Sequence, residues 1–557
     1  MISASSISEF AIGEMDSSYD NSVADAFRLL LQDPEAHLIY LVEFSPFNNT
    51  SAQSLTGELP ISTGAIGEFD TTFYGGVDTI YISDDGYITT STETPANTNY
   101  LPLTNNPLQF DVSIFSGDSF RGGSPSFGSI KILNGDAEND DLVDYFWEGR
   151  SVKVYAGDRR FTRSQFTKVF DGISTILEHT EDEITVNISD RSGFMDDPIV
   201  QDIYGGTGST DGSDDIANTP KPLLYGQCYR IEPILVDAAN LIYQIHDGAM
   251  QSVDAVYDRG VALSSGGDVA DIVAASVSAG QYKTQLTGGY IKLGSTPDGR
   301  ITVDAKGDSE GTYVNTIADI SQRVVTTKLG SNSLLSTYVD AGSFNTFDSA
   351  VTGISGIYIK DQMSARQILD ALIIPVQGYW TFDRIGRITV GVLDEPGTED
   401  YELTSSEILD IQAINTIQPA WRIKLGYARN WSVQNEDDIA AAATTAYREF
   451  APNQYRTAIN EDRSIRVKTA KLFELDFESL LLNSADATTE VTRIGRIYSA
   501  KRNIYRVKVM NLLFRVFIGD TIKITLNRFG LDAGRNFIIT GISEDVETGT
   551  TTLELWG

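Results

Sequence analysis

One cysteine in 557 residues, Cys228, leaves no partner for an internal disulfide and no thiolate set for a zinc or iron–sulfur centre. Histidine is almost as scarce: His37, His179 and His246 are scattered and leave little for a histidine metal site. Basic residues are outnumbered, 42 Lys plus Arg against 77 Asp plus Glu, for a formal charge of −35. That balance argues against a protein that grips nucleic-acid phosphates, which needs clustered Lys and Arg. The deficit is steepest at the start, where Arg28 is the one basic residue in positions 1–120. Long apolar runs are missing too. The longest, such as Leu29–Leu31 and Ala371–Val376, fall far short of the roughly 20 residues a bilayer span requires. The start, MISASSISEF, has neither a basic n-region nor an apolar h-region. We therefore expect a soluble protein without an integral membrane segment, made without the usual export signal.

What remains is the composition of a globular chain, 41% apolar with 10% aromatics. At roughly 150 residues per domain the length suggests three or four domains. Forty-eight Gly against 16 Pro points to many tight turns, and so to many strands. We expect a mainly β, multi-domain fold with two similar β-barrel-like modules and inserted small β and α/β domains.

Six spans follow from the local patterns. Residues 1–44 hold a helix over 23–33, capped by Asn21-Ser22 and ended by Pro34, then a first strand, His37–Phe44. Residues 45–126 read as a hairpin insertion with Asp84-Asp85-Gly86 as its clearest turn. Residues 127–204 form a first barrel module, and the Gly/Ser/Asp-rich piece Gly205–Asp215 opens a small β-rich domain over 205–314. A mixed α/β domain fills 315–420, with Ser364 capping a helix Ala365–Ile373 and a hairpin Gly378–Phe382 with Arg387–Val390. Residues 421–557 form a second barrel module with helices near 436–448 and 488–501.

The two modules resemble each other. The first runs Gly149-Arg-Ser-Val-Lys-Val154, an Arg-bearing hairpin, Phe170-Asp-Gly-Ile173, an acidic turn and Glu183–Ile188. The second runs Gly519-Asp-Thr-Ile-Lys-Ile524, an Arg-bearing hairpin, Ile539-Thr-Gly-Ile542, an acidic turn and Thr551–Leu555. Gly149 to Gly172 is 23 residues, and Gly519 to Gly541 is 22. Two readings fit this spacing: one duplicated supersecondary unit, or two unrelated meanders that share the general look of strands and turns.

No catalytic constellation stands out. Gly205–Gly212 is Gly-rich but lacks the Lys of a phosphate loop, and acid follows it: Asp211, Asp214 and Asp215. Gly122-Gly-Ser-Pro-Ser126 misses the closing Gly of a nucleophile elbow. Cys228 has His246 eighteen residues on, yet it sits in a strand-like run with nothing to lower its pKa. Carboxylate pairs such as Asp84-Asp85, Asp140-Asp141, Asp196-Asp197 and Glu436-Asp437-Asp438 fall in turns, where solvation explains them. Neither Asn134–Asp141 nor Asp211–Asp215 matches an EF-hand calcium loop. Trp147, Trp380, Trp421, Trp431 and Trp556 read as core. Arg493, Arg496, Arg502, Arg506 and Arg515 read as the polar face of strands or as a protein interface. Catalytic, cofactor and metal residues are accordingly expected to be none.

The ending, Asn527–Asp545 with Thr552-Leu-Glu-Leu-Trp-Gly557, resembles that of tail hub proteins of tailed bacteriophages. Phe127–Asn134, Trp147-Glu-Gly-Arg150 and Phe170–Ile173 are similar to the first barrel of that group. So are Pro222–Gly226, His246-Asp-Gly248 and Val256–Gly260, as in long-tailed phages and gene-transfer particles. The resemblance implies a structural virion protein at the tail tip, assembled in the host cytoplasm, with no turnover. Some related tail proteins carry a Cys-ligated iron–sulfur cluster or a Cys–His peptidase; with Cys228 as its one cysteine, this chain is expected to have no cofactor. It implies a homotrimer joining a six-fold tail tube and distal ring to a three-fold central fibre or spike. The implied partners are the distal tail, tape measure and fibre or spike proteins, with DNA passing through the lumen and no stable nucleic-acid binding. A receptor-binding or glycan-cleaving tail protein, or a distal ring subunit, is the alternative.

Overall fold

A computed structural model describes residues 36–48, 76–116, 119–120, 126–510 and 512–557, with the isolated positions 30 and 33. The helix expected over 23–33 and the segments 49–75 and 121–125 lie outside the described residues, apart from Leu30 and Asp33.

Twelve of the fifteen strands of the main sheet build or flank the two modules, and Ile80–Ser83, Asn99–Pro102 and Tyr87–Ile88 continue it past the first strand. In chain order the twelve are β1 (Leu38–Phe44), β2 (Gln109–Ser113), β3 (Phe127–Leu133), β4 (Ser151–Asp158), β5 (Thr167–His179) and β6 (Glu183–Ser189). Then come β7 (Tyr401–Thr404), β8 (Ile408–Ile417), β9 (Arg502–Met510), β10 (Thr521–Leu526), β11 (Leu531–Asp545) and β12 (Thr550–Trp556). Their order across the sheet is β8-β9-β12-β11-β2-β3-β6-β5-β4-β1, with β10 held by β11 and β7. The path stays open among the described residues. Strands expected to form barrel-like modules thus lie in one continuous sheet that, among the described residues, does not close on itself.

The period-2 pattern explains the faces. Val152 and Val154 of β4, Ile130 and Ile132 of β3, and Ile522 and Ile524 of β10 are buried in a single apolar core shared by both modules. Lys131, Lys153 and Lys523 alternate with them on the opposite face, partly exposed.

Between β6 and β7 the chain leaves the sheet. Strands Leu223–Ile231, Met250–Asp258 and Ile301–Asp308 anchor one five-stranded sheet, and Ile234–Asp237, Ile242–Gln244 and Tyr290–Leu293 belong to another. A helical layer follows: α1 (Ile317–Thr327), α2 (Ala341–Ala350) and α3 (Ala365–Ile373), joined later by α4 (Ser484–Ile497). Ser364 and Gln367 form a reciprocal capping box at the start of α3. The hairpin Gly378–Phe382 with Ile388–Val392 packs on this layer through fully buried Trp380.

Sequence order and sheet membership part company in three places. Gln109–Ser113, placed with the N-terminal insertion, is hydrogen-bonded to β3, so the first sheet unit begins earlier than residue 127. Ile408–Ile417, placed in the α/β domain, is the outer strand of the second unit. Arg422–Tyr427, Arg456–Glu461 and Glu474–Glu478, placed in the second barrel, form a separate three-stranded sheet against α4. The helix expected over 436–448 is also two pieces, a single turn at Glu436–Asp438 and a helix at Thr445–Phe450. The stretch between them is pulled out of helical geometry where the Ala440 N–H donates to the Arg259 carbonyl at 2.8 Å. Finally, Asp84-Asp85-Gly86 turns the chain, but its flanking strands do not pair with each other; each pairs with Asn99–Pro102.

Candidate functional site

The repeat seen in the sequence is a repeat of structure. In the first unit the strands run β2, β3, β4, β5, β6 along the chain and lie in the order β2-β3-β6-β5-β4. In the second they run β8, β9, β10, β11, β12 and lie in the order β8-β9-β12-β11-β10. All eight adjacent pairings are antiparallel.

Finer details match as well. Gly149 and Gly519 both adopt positive φ, at 72° and 97°, where glycine is favoured. The Gly149 N–H donates to Ser174 O and the Gly519 N–H to Ile539 O, each at 2.9 Å. A bulge follows Val154 in β4 and its counterpart Ile524 in β10. A second bulge lies in β5 after Ser174 and in β11 after Ile539. Such bulges bend a strand and sharpen its twist, so both units curve at the same points.

The registers also correct the sequence alignment. Ser151 faces Ile173 and Thr521 faces Ile538, so the counterpart of Ile173 is Ile538, not Ile542. The Gly172 and Gly541 match was a coincidence of spacing, and the hairpin of the second unit is shorter. An offset of 365 then carries residues 173–179 of β5 onto 538–544 of β11.

The two units join edge to edge. Residues Gly541–Asp545 of β11 pair antiparallel with Ser113–Gln109 of β2, and the Ile114 N–H extends the ladder to Thr540 O at 2.9 Å. Glu544 lies in this join with no exposure, and Arg384 meets it with two hydrogen bonds of 2.7 and 3.0 Å. The Phe514 N–H donates to the same carboxylate at 2.6 Å.

Residues weighed for chemistry are occupied with holding the fold. Cys228 is buried in the core of the small β domain, and that burial pushes its thiol pKa up. His246 is buried too; its Nδ1 accepts from the Leu224 N–H at 3.0 Å, and burial lowers its pKa to about 3. The Gly205–Gly212 loop wraps its own Asp211, whose carboxylate accepts from Gly205 N at 3.1 Å and from Thr207 Oγ1 at 2.7 Å. An aspartate sits where a bound anion would have to lie. Asn134, Asn139 and Asp140 likewise bond one another across their turn. Asp85 pairs with Arg159, and Asp196 with Arg366. Among the described residues no group of three or more His, Cys, Asp or Glu is gathered to hold a metal ion. No helix among them is long and apolar enough to cross a membrane.

The arginine series divides. Arg493, read as a strand or interface residue, lies buried in α4 and donates to Leu393 O and Val376 O at 2.6 and 2.5 Å. Arg506 lies on the polar face of the sheet and pairs with Glu554 at 2.8 Å. Arg384 and Glu544 escaped the sequence reading altogether, because 160 residues separate them.

No protein-family model matches the chain, and no curated protein matches it. Among solved structures, the tail protein from Neisseria meningitidis MC58 is similar at 10% identity and a TM-score of 0.34, over 81% of this chain and 91% of that one. The 43 kDa tail protein of prophage MuSo2 from Shewanella oneidensis gives 9% identity and a TM-score of 0.34, over 82% and 94%. A chain of the virion of a native gene transfer agent particle gives 13% identity and a TM-score of 0.33, over 64% and 87%.

Proposed function

We propose that this chain is a structural, non-enzymatic hub at the tip of a phage tail, acting as a symmetry adaptor. The reading starts from the sequence resemblance, and one observation carries it further: two five-stranded units with the same chain order and sheet order, and register breaks at two matching places, stand side by side in one sheet. Three copies of such a chain present six nearly equivalent units. A ring of that kind mates with a six-fold tube and distal ring on one face and a three-fold fibre or spike on the other. The inserted domains, which are not duplicated, then supply the three-fold contacts.

Charge supports a conduit role. Three chains at −35 each make an assembly that does not hold DNA passing through it.

The test is the mass of the purified protein, alone and with its neighbouring tail proteins. A particle of three 60.9 kDa chains is expected, with rotational averages of its electron micrographs showing six similar lobes in a three-fold ring. A stable monomer or a true hexamer sinks the adaptor reading.

A further inference from the structure

The duplicated unit has two edges that the chain fills once and leaves open once. In the second unit the end of β11 is covered by β2, the first strand of the other unit. Its counterpart in the first unit, the end of β5 from Ile176 to His179, has no strand partner on that side among the described residues. Likewise β2 is paired on both sides, whereas among the described residues its counterpart β8 is paired with β9 alone. One socket and one plug are left over.

Both open edges look made for company. β8 runs ten residues, Ile408-Leu-Asp-Ile-Gln-Ala-Ile-Asn-Thr-Ile417, with no Pro, Lys or Arg to blunt it. Leu409 is 53% exposed on it. On β5, Ile176 is 68% exposed, while its counterpart Gly541 is buried by the join. Beside the β5 edge lies an open depression of about 480 Å³ lined by Val143, Phe146, Arg150, Leu177 and His179 among others. The same place in the second unit is filled: Glu544, the counterpart of His179, is fully buried against Arg384.

We propose that β8 of one copy pairs with the end of β5 of the next, repeating between chains the β2–β11 join made within each. The inference rests on the trimer reading above and gives that trimer its contact. The register follows by transfer. Gly541 faces Ser113, Ile542 faces Val112 and Ser543 faces Asp111. Asp111 and Asn415 occupy equivalent places, because they face the equivalent residues Phe127 and Ile504. Ile176 therefore faces Ile417 of the next copy, Leu177 faces Thr416, and Glu178 faces Asn415. The contact is head-to-tail, and six units at equal angles close it into a ring that leaves neither of these two edges open.

Cysteine pairing in the full-length chain tests this. Directly opposed residues in an antiparallel pair have Cα atoms about 4.5–5.5 Å apart, within the span a disulfide bridges. Glu178→Cys combined with Asn415→Cys is expected to give chains linked in twos and threes on oxidation, while neither single variant does. Buried Cys228 does not compete. Ile176→Lys, at an exposed position, is expected to leave the monomer folded and to raise the concentration at which the trimer dissociates tenfold or more. A trimer by mass that neither cross-links at this pair nor weakens with Ile176→Lys means that another surface or segment covers these edges, which overturns the pairing and spares the trimer. A monomer at every concentration overturns both.

Discussion

Arg384 bonds both copies of the repeat. Its guanidinium meets the Glu544 carboxylate of the second unit at 2.7 and 3.0 Å, and its carbonyl accepts the Asp171 N–H of the first unit at 2.7 Å. The guanidinium also donates to Val516 O at 2.5 Å. A residue of the α/β domain thus clamps the angle between the two sheet units. Breaking a buried pair by removing one partner strands the other charge, so Arg384→Ala is expected to cost about 3–5 kcal/mol. Arg384→Met with Glu544→Gln, which removes both charges, should recover a large part of that loss. Urea unfolding of the single and double variants measures the coupling. Simple additivity of the two losses would show that the clamp does not act as a pair.

A glycine sets how closely the first two strands of the first unit approach. A Cβ on Gly128 would lie 1.9 Å from the Gln109 carbonyl oxygen of β2, so the backbones themselves must separate. Gly128→Ala is expected to destabilise by about 1–3 kcal/mol, the range for overpacking a tight contact. Gly193→Ala, where nothing lies within 4 Å, is the control and should be close to neutral. Equal thermal midpoints for the two variants would contradict the close-approach account.

How much of this was legible in the sequence depends on the distance over which each feature is written. The Ser364 cap of α3 and the hairpin that carries Trp380 are local, and the residues announced them. The duplication was legible only at its start, where Val-Lys-Val and Ile-Lys-Ile follow a glycine at the same distance, and a register break then falls at the same place in both units. What stayed hidden is long-range. Ile408–Ile417 belongs with Arg502–Met510 only because an inserted domain separates two adjacent strands. Gln109–Ser113 shows its role only when Gly541–Asp545 is laid beside it. No periodicity within either segment carries that information. The Gly172–Gly541 match shows the converse error: a shared Gly-Ile dipeptide aligned two strands that the hydrogen bonds place in another register.

Acid should loosen the small β domain through His246. Burial and the Lys328 charge lower its pKa from 6.5 to about 3, while the Asp308 carboxylate 4.0 Å from Nε2 is itself engaged by Arg323. Above pH 6.5 the ring is neutral in both folded and unfolded chains and makes no difference. Below it the unfolded chain binds a proton the folded one refuses, so stability falls with pH until the folded pKa is reached. From pH 7 to pH 5 this amounts to about 2 kcal/mol. His246→Gln is expected to flatten the pH dependence by that amount, read from urea midpoints at the two pH values. An unchanged slope would mean that His246 takes up its proton in the fold.

The acidic chain should ignore DNA, and the reason lies in the sheet as well as the total. A net −35 already opposes phosphate binding. The polar face of the sheet does carry cations, yet acids meet them there: Lys131 with Glu183 at 3.2 Å, Arg506 with Glu554 at 2.8 Å, and Lys523 with Glu402 at 3.2 Å. A phosphate approaching this face would have to displace a carboxylate already in place, with little counterion release to drive the exchange. At physiological salt the Debye length is about 8 Å, so the remaining acidic surface repels a duplex at short range. Fluorescence anisotropy of a labelled duplex titrated with the protein is expected to stay flat at 0.15 M salt and to stay flat as salt is lowered. Glu183→Lys with Glu554→Lys, which frees two cations and adds two more on that face, should introduce salt-sensitive binding where the natural chain has none. Tight binding by the natural chain would rule out the conduit role and leave the duplicated sheet to be explained by assembly alone.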